Sequence, residues 1–158
     1  MEIEKTKKTP AILVVDDNEQ NLELIQAYLE DIECKTLAAF DGKQALDMIA
    51  QTPPDLVLLD IMMPKMSGFE VCRILKNDSA TKDIPIIMVT ALSEFGDIER
   101  AIDCGTDDFL SKPVNKMELL TRVRTMLKLK SLTDKLERTL AYLSEIENHA
   151  RRAKSDSE

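Results

Sequence analysis

Leu56-Val57-Leu58-Leu59 is a run of four apolar residues that ends in a carboxylate, Asp60, with Pro64 and Gly68 close behind. A short continuous apolar run bounded by chain breakers reads as a strand buried on both faces. Asp60 then falls where a buried strand opens into a loop. In open α/β sheets that edge, the carboxyl end of the strands, is where ligands bind. Ala11-Ile12-Leu13-Val14-Val15 repeats the arrangement and is followed by Asp16-Asp17. Two buried strands thus deliver three acids toward one edge.

The rest of the chain alternates in the same way. Asp17 or Asn18 caps a first helix carrying Leu22, Ile25, Leu29 and Ile32 at helical spacing. Residues 34–38 form a short second strand. After the Asp41-Gly42 turn, Ala45, Leu46, Ile49 and Ala50 form the stripe of a second helix, stopped by Pro53-Pro54. The third strand is 56–59. Ser67 caps a third helix with Phe69, Val71, Cys72, Ile74 and Leu75 on its apolar side. Residues 85–90 are a fourth strand and residues 94–104 a weaker fourth helix, with Gly105 as its C-cap. Residues 108–111 are a fifth strand, and Asn115 caps a last helix. Five strands alternating with five helices imply a parallel sheet covered by helices on both faces.

Every polar residue of interest falls at a strand's carboxyl end: Asp16 and Asp17, Asp60, Thr90 and Lys112. Three clustered carboxylates repel one another unless a cation is shared among them. Oxygen ligands without histidine point to a hard divalent ion, Mg²⁺ before Ca²⁺ or zinc. A carboxylate beside Mg²⁺ can act as a nucleophile toward a phosphoryl group. The Thr90 hydroxyl and the Lys112 ammonium can each hold a phosphoryl oxygen. Together these groups make a phosphoryl-acceptor site.

Five segments in order and spacing, Ile12–Asp17, Leu58–Gly68, Val89-Thr90-Ala91, Phe109-Leu110-Ser111 and Lys112-Pro113, resemble the receiver domain of two-component response regulators. The resemblance covers about residues 10–127. It implies a flavodoxin-like, doubly wound (βα)5 fold with strand order 2-1-3-4-5, here with an extended C-terminal helix. It implies Asp60 as phosphoacceptor, with Mg²⁺ held by Asp16, Asp17, Asp60 and the backbone carbonyl of Met62. Thr90 and Lys112 would bind the phosphoryl oxygens, and Phe109 takes the place of the switch aromatic. A cis bond is expected before Pro113. Phe109 is often Tyr in that family and Ser67 is commonly Asp. Met62 and Leu92 stand where the family tunes loss of the phosphoryl group, and two apolar side chains there predict slow hydrolysis.

Beyond residue 127 the chain continues without Gly or Pro. Leu129, Leu132, Leu136, Thr139, Leu143, Ile146 and Ala150 fit a 3-4 spacing over three heptads, so a helix is expected to run on to about Ala150. Leu140 and Tyr142 widen the stripe. The reading divides the chain into a disordered N-terminus (1–9), the receiver (10–127), a helical extension able to form a coiled coil (128–150) and a disordered charged tail (151–158). The extension suits a homodimer, a linker to an output domain, or a surface docked by a separate protein. A homodimer through the face of the fourth helix, fifth strand and last helix is the other pairing expected. Arg122–Leu127 running into such a helix is similar to receivers that precede diguanylate cyclase domains, so a fragment of a larger regulator is the alternative to a stand-alone receiver.

Charge and cysteine usage narrow the classes. Formal net charge is −8; residues 128–158 carry seven Lys/Arg against six Asp/Glu, leaving the rest at −9. An acidic body repels phosphate backbones, so nucleic acid is not an expected partner of this segment. No apolar run reaches membrane-spanning length, and the lysine-rich first ten residues lack the apolar middle of a signal peptide. Cys34, Cys72 and Cys104 are far apart and odd in number, which fits small buried hydrophobes in a reducing cytoplasm. Most of the eight methionines sit at apolar positions and read as core filler, and His149 reads as a solvated residue. The expected partner is a sensor histidine kinase or phosphotransfer protein, and the chain is not expected to be an enzyme. A metal-dependent phosphatase with an Asp nucleophile would want Asp-x-Asp after the first strand, which Asp16-Asp17-Asn18 does not supply. A scaffold indifferent to phosphate is the third class.

Overall fold

The computed structural model describes residues 8–91, 99–100 and 102–157. All five expected strands form: β1 (Ala11–Val15), β2 (Lys35–Ala39), β3 (Leu56–Asp60), β4 (Ile86–Thr90) and β5 (Asp108–Ser111). They make one parallel sheet in the order β2-β1-β3-β4-β5. Helices α1 (Glu19–Leu29), α2 (Gly42–Gln51) and α3 (Gly68–Lys76) fall in the loops between them, and a C-terminal helix spans Lys116–Asp156.

The apolar runs are continuous because the sheet is covered twice. Alternate residues Leu13, Val15, Val57, Leu59, Ile86 and Met88 face one layer, where Ala45 and Ile49 of α2 and Phe69, Val71, Cys72 and Leu75 of α3 close the core. Their neighbours Ile12, Val14, Leu56, Leu58, Ile87 and Val89 face the other. There Leu22, Ile25 and Leu29 of α1 meet Leu119, Leu120 and Val123 of the C-terminal helix. Side chains alternate across a strand with period two, so a central strand can have no polar face. The edge strands β2 and β5 are only partly buried.

Several boundaries differ from expectation for local reasons. β2 starts at Lys35, not Cys34, because its pairing begins where Lys35 N donates to Pro10 O (2.8 Å). Cys34 is therefore half-buried, while Cys72 and Cys104 are buried. Of the two expected N-caps of α1, Asn18 takes the position, with its side chain accepting from Asn21 N. Helix α1 stops at Leu29, so Ile32 packs from a turn. Ala50 and Ile74 are exposed, at the margins of their helical stripes. Asp41, Ser67 and Asn115 accept from Gln44 N, Glu70 N and Glu118 N respectively, as helix N-caps do. Residues 99–100 and 102–103 of the expected fourth helix are helical, and Gly105 follows at φ +90° with its N–H on Ile102 O. The remainder of that helix, 94–98 and 101, lies outside the described residues, as do residues 1–7 of the expected disordered N-terminus.

Two compact units emerge, one ending at Leu127 and the other beginning at Lys128. In the second, the helix reaches Asp156, six residues past Ala150 and into the stretch read as disordered. Residues 151–156 contain Arg, Ala and Lys, good helix formers, and no breaker. Not every methionine is core: Met63 and Met88 are buried, but Met62 and Met117 are exposed.

Candidate functional site

The sheet brings the acids together because β1 and β3 are neighbours with Val15 opposite Leu59. Asp16 and Asp60 therefore leave adjacent strands side by side. One carboxylate oxygen from each of Asp16, Asp17 and Asp60 lies within 4.8 Å of the others. Asp16 and Asp60 are buried, Asp60 to 4% exposure, while Asp17 is exposed. The arrangement has a buried floor and an open rim, and all its donors are oxygens. That donor set suits a hard divalent cation.

Lys112 enters from the far side of the sheet. Its N–H donates to Thr90 O (2.8 Å), which ties the end of β5 to the end of β4. Its ammonium lies 3.1 Å from Asp16 Oδ2 and 3.4 Å from Asp60 Oδ1. The following Lys112–Pro113 bond is cis, as expected. Thr90 is buried at the end of β4, one position past Val89, the register partner of Asp60. Asp60, Asp16, Asp17, Lys112 and Thr90 thus converge on one strand-end edge.

Burial pushes the Asp60 carboxyl up to about 6 from 3.8, and the neighbouring Asp16 charge adds to it. Lys112 and a long hydrogen bond from Met62 N (3.4 Å) pull the other way and do not cancel the effect. Asp16 is held differently: Asn18 N donates to its Oδ1 at 2.9 Å, leaving Oδ2 to the lysine. Met62, two residues past Asp60, is 69% exposed, and Leu92 lies outside the described residues.

Phe109 is not in the acidic pocket. It is 36% exposed on edge strand β5, beside Asp108, whose carboxylate accepts both hydrogen bonds of Arg122 Nη1 at 2.8 Å.

Gly68 supports the site in a way that sequence reading, which took it only as a breaker, missed. A Cβ at Gly68 would collide with the backbone oxygen of Asp60 and meet Ile61 Cα at 2.8 Å. Gly68 N donates to Ile61 O at 2.9 Å, so the start of α3 packs directly on the peptide that carries Asp60. Its position eight residues after the acid was visible; the backbone contact was not. Lys65, in the same loop, takes a positive φ of 68°.

The sequence profile of the response regulator receiver domain matches residues 12–124. The response regulator PleD of Caulobacter vibrioides is 45% identical over 125 residues, covering 79% of this chain and 28% of PleD. The DNA-binding dual master transcriptional regulator RpaA of Synechocystis is 40% identical over 119 residues, covering 75% of this chain and 49% of RpaA. The chain therefore spans half or less of the length of these relatives. Among solved structures, the signal receiver domain of a signal transduction histidine kinase from Syntrophus aciditrophicus superposes with a TM-score of 0.72 at 34% identity, over 76% of this chain and 91% of that one. Sheet order, acidic pocket and sequence agree, and the chain belongs to the receiver domain family of two-component response regulators.

Proposed function

We propose that Asp60 accepts a phosphoryl group from a phosphohistidine of a sensor histidine kinase or phosphotransfer protein, and that the product switches protein–protein contacts. One observation carries the reading: a buried carboxylate stands 3.4 Å from a lysine ammonium, with two further carboxylates in reach. With its pKa near 6, Asp60 is mostly ionised at neutral pH and able to attack. A carboxylate oxygen of Asp60 forms a bond to phosphorus as the P–N bond breaks. The imidazole nitrogen leaves with the electron pair and takes up a proton. Lys112 then turns from the carboxylates to a phosphoryl oxygen, and Thr90 offers its hydroxyl to another.

Asp16, Asp17, Asp60 and the Met62 backbone carbonyl are the groups that would hold Mg²⁺. When bound, that ion supplies positive charge against the oxygens of the transferring group. Drawing Thr90 toward the phosphoryl group frees space behind it for Phe109 to turn inward. The contact face formed by the fourth helix, β5 and the first turns of the C-terminal helix changes with it. The segment acts as a switch rather than as an enzyme, in a cytoplasmic setting. Its acidic body disfavours direct contact with nucleic acid.

A second reading makes this receiver one part of a longer regulator, such as a diguanylate cyclase, with the C-terminal helix as linker. It is favoured by the PleD match, in which the aligned region is 28% of the relative.

Intact-mass measurement after incubation with acetyl phosphate and MgCl₂ tests the acceptor. One added phosphoryl group on the wild type and none on Asp60→Asn is expected. The same gain on Asp60→Asn, or none on the wild type with either acetyl phosphate or a histidine kinase, would remove Asp60 from the role.

A further inference from the structure

The segment 128–156 is a single helix with no receiver core of its own to pack on, yet it carries a leucine seam. Leu129, Leu132, Leu136, Leu143 and Ile146 are 47–59% exposed, and Leu140 and Tyr142 beside them are likewise exposed. Together with Thr139 and Ala150, the seam residues recur at alternating intervals of three and four. That is the pattern by which helices wind about one another, with Leu129, Leu136, Leu143 and Ala150 at the first heptad position and Leu132, Thr139 and Ile146 at the fourth. In proteins most helical stability comes from burial of an apolar stripe rather than from propensity.

We propose that this helix pairs with the same segment of a second copy of the chain as a parallel, in-register, two-stranded coiled coil, and that the pairing does not depend on Asp60. Three features select a second copy. First, the segment is near electroneutral, with seven Lys/Arg and six Asp/Glu in 128–158, so two copies can approach without the repulsion the acidic body would bring. Second, the seam has one polar layer. In a parallel, in-register pair Thr139 meets Thr139 of the other copy. In an antiparallel pair first positions face fourth positions, so Thr139 would lie against a leucine or Ala150. The hydroxyl already donates to Lys135 O at 2.9 Å and so enters the seam without an orphan donor. In this alignment the two Thr139 side chains share one layer and every other layer of the seam is apolar.

Third, the flanks fit two strands. Of the eight positions beside the seam, Lys128, Lys135, Glu147 and Lys154 are charged, Thr133 and His149 polar, and only Leu140 and Tyr142 apolar. A third or fourth strand would bury these charges, whereas a pair leaves them in water. In the parallel pair the Lys135 stem lies over Leu140 of the other copy, and the Tyr142 hydroxyl faces Glu147. No Glu–Glu or Lys–Lys pair arises across the seam.

Sedimentation equilibrium on the full chain, with EDTA and no phosphodonor, tests this over a range of concentrations. The expected mass is twice 17.8 kDa. Leu136→Asp with Leu143→Asp is expected to give a monomer that retains the Asp60 mass gain with acetyl phosphate. Ser144→Asp, away from the seam, is expected to remain a dimer. Orientation is read with Leu132→Cys in a Cys34→Ser background, which cross-links to its own copy in a parallel pair. A wild-type monomer, a dimer untouched by the double Asp variant, a dimer that forms only with a beryllofluoride mimic, a higher multiple, or a dimer in which Leu132→Cys does not self-cross-link would each overturn the proposal. Because phosphorylation is read separately, failure of the pairing is distinguishable from failure of Asp60 as acceptor.

Discussion

Lys112 and Asp60 meet at 3.4 Å although they are carried by strands on opposite sides of β4. The lysine reaches across because its own N–H is pinned to Thr90 O, at the end of the intervening strand. It also contacts Asp16 at 3.1 Å, so a single cation faces two buried acids. Burial, with the Asp16 charge that the one lysine does not offset, leaves Asp60 above its ordinary range.

That imbalance predicts a pH dependence of stability. The unfolded carboxyl titrates near 3.8 and the folded one near 6. Between these values the folded chain binds more protons than the unfolded one, so stability falls as pH rises from about 4 to about 6 and does not recover above it. Asp60→Asn removes the penalty. In EDTA it should stabilise the receiver by about 1–3 kcal/mol at pH 8 and by almost nothing at pH 3.5. Urea denaturation at the two pH values measures it; an equal effect at both would mean that the carboxyl is not raised.

Asp17 separates cation binding from folding. It is the exposed member of the cluster, whereas Asp16 carries a backbone hydrogen bond and the Lys112 contact. Asp17→Ala should change stability by less than about 0.5 kcal/mol, as exposed substitutions usually do. It should weaken Mg²⁺ binding by at least about tenfold, the lower end for loss of a supporting ligand group. Titration calorimetry with MgCl₂ checks the affinity, and unchanged binding would remove Asp17 from the cation site.

How much of this could be read beforehand depended on whether a residue's role is local or relational. The apolar runs Ile12–Val15 and Leu56–Leu59 announced central strands because both faces of such strands must be covered. The meeting of Asp16, Asp60 and Lys112 followed from the adjacency that a doubly wound sheet gives the strands before them, and the full strand order from resemblance. Cys34 was misplaced by one position because the start of β2 is set by pairing with Pro10, a distant contact that propensity does not contain. Met117 was not singled out from the methionines read mostly as core, yet it is exposed on the first turn of the C-terminal helix. The helix end at Asp156 was underestimated because a charged stretch can be either solvated coil or solvated helix, and only the absence of a breaker separates them.

Gly68, the first residue of α3, leaves no room for a side chain against the peptide that carries Asp60. An added methyl would overlap the Asp60 carbonyl and crowd Ile61 Cα at 2.8 Å, both backbone atoms that cannot rotate away. Gly68→Ala should therefore cost about 1–3 kcal/mol, the usual range for overpacking a filled site. The strain falls on the Asp60 peptide, so the rate of phosphorylation by acetyl phosphate should also drop. Gly105→Ala is the control. Its φ of +90° carries a comparable backbone cost, but it meets only the Lys76 side chain, and it should leave the phosphorylation rate unchanged.

With Asp60 as the proposed acceptor, Met62 is expected to influence how long a phosphoryl group stays on it. Its N–H donates to Asp60 Oδ1, and the residue is 69% exposed. Hydrolysis needs a water held for attack on phosphorus, and a thioether is at best a weak acceptor for that water. Met62→Asn places an amide where the thioether was, able to accept from and donate to such a water. General positioning by one side chain contributes up to about 10²–10⁴-fold when geometry is ideal. On an exposed, unlocked side chain the gain should be nearer ten, so the substitution should shorten the lifetime of the phosphorylated form by about three- to tenfold. Stability should hardly change, because the position is exposed. The decay of the phosphorylated species, followed by intact mass after removal of acetyl phosphate, provides the comparison. An equal lifetime in the two proteins would mean that attack is limited elsewhere, by the Lys112 and Thr90 side of the site rather than by the loop after β3.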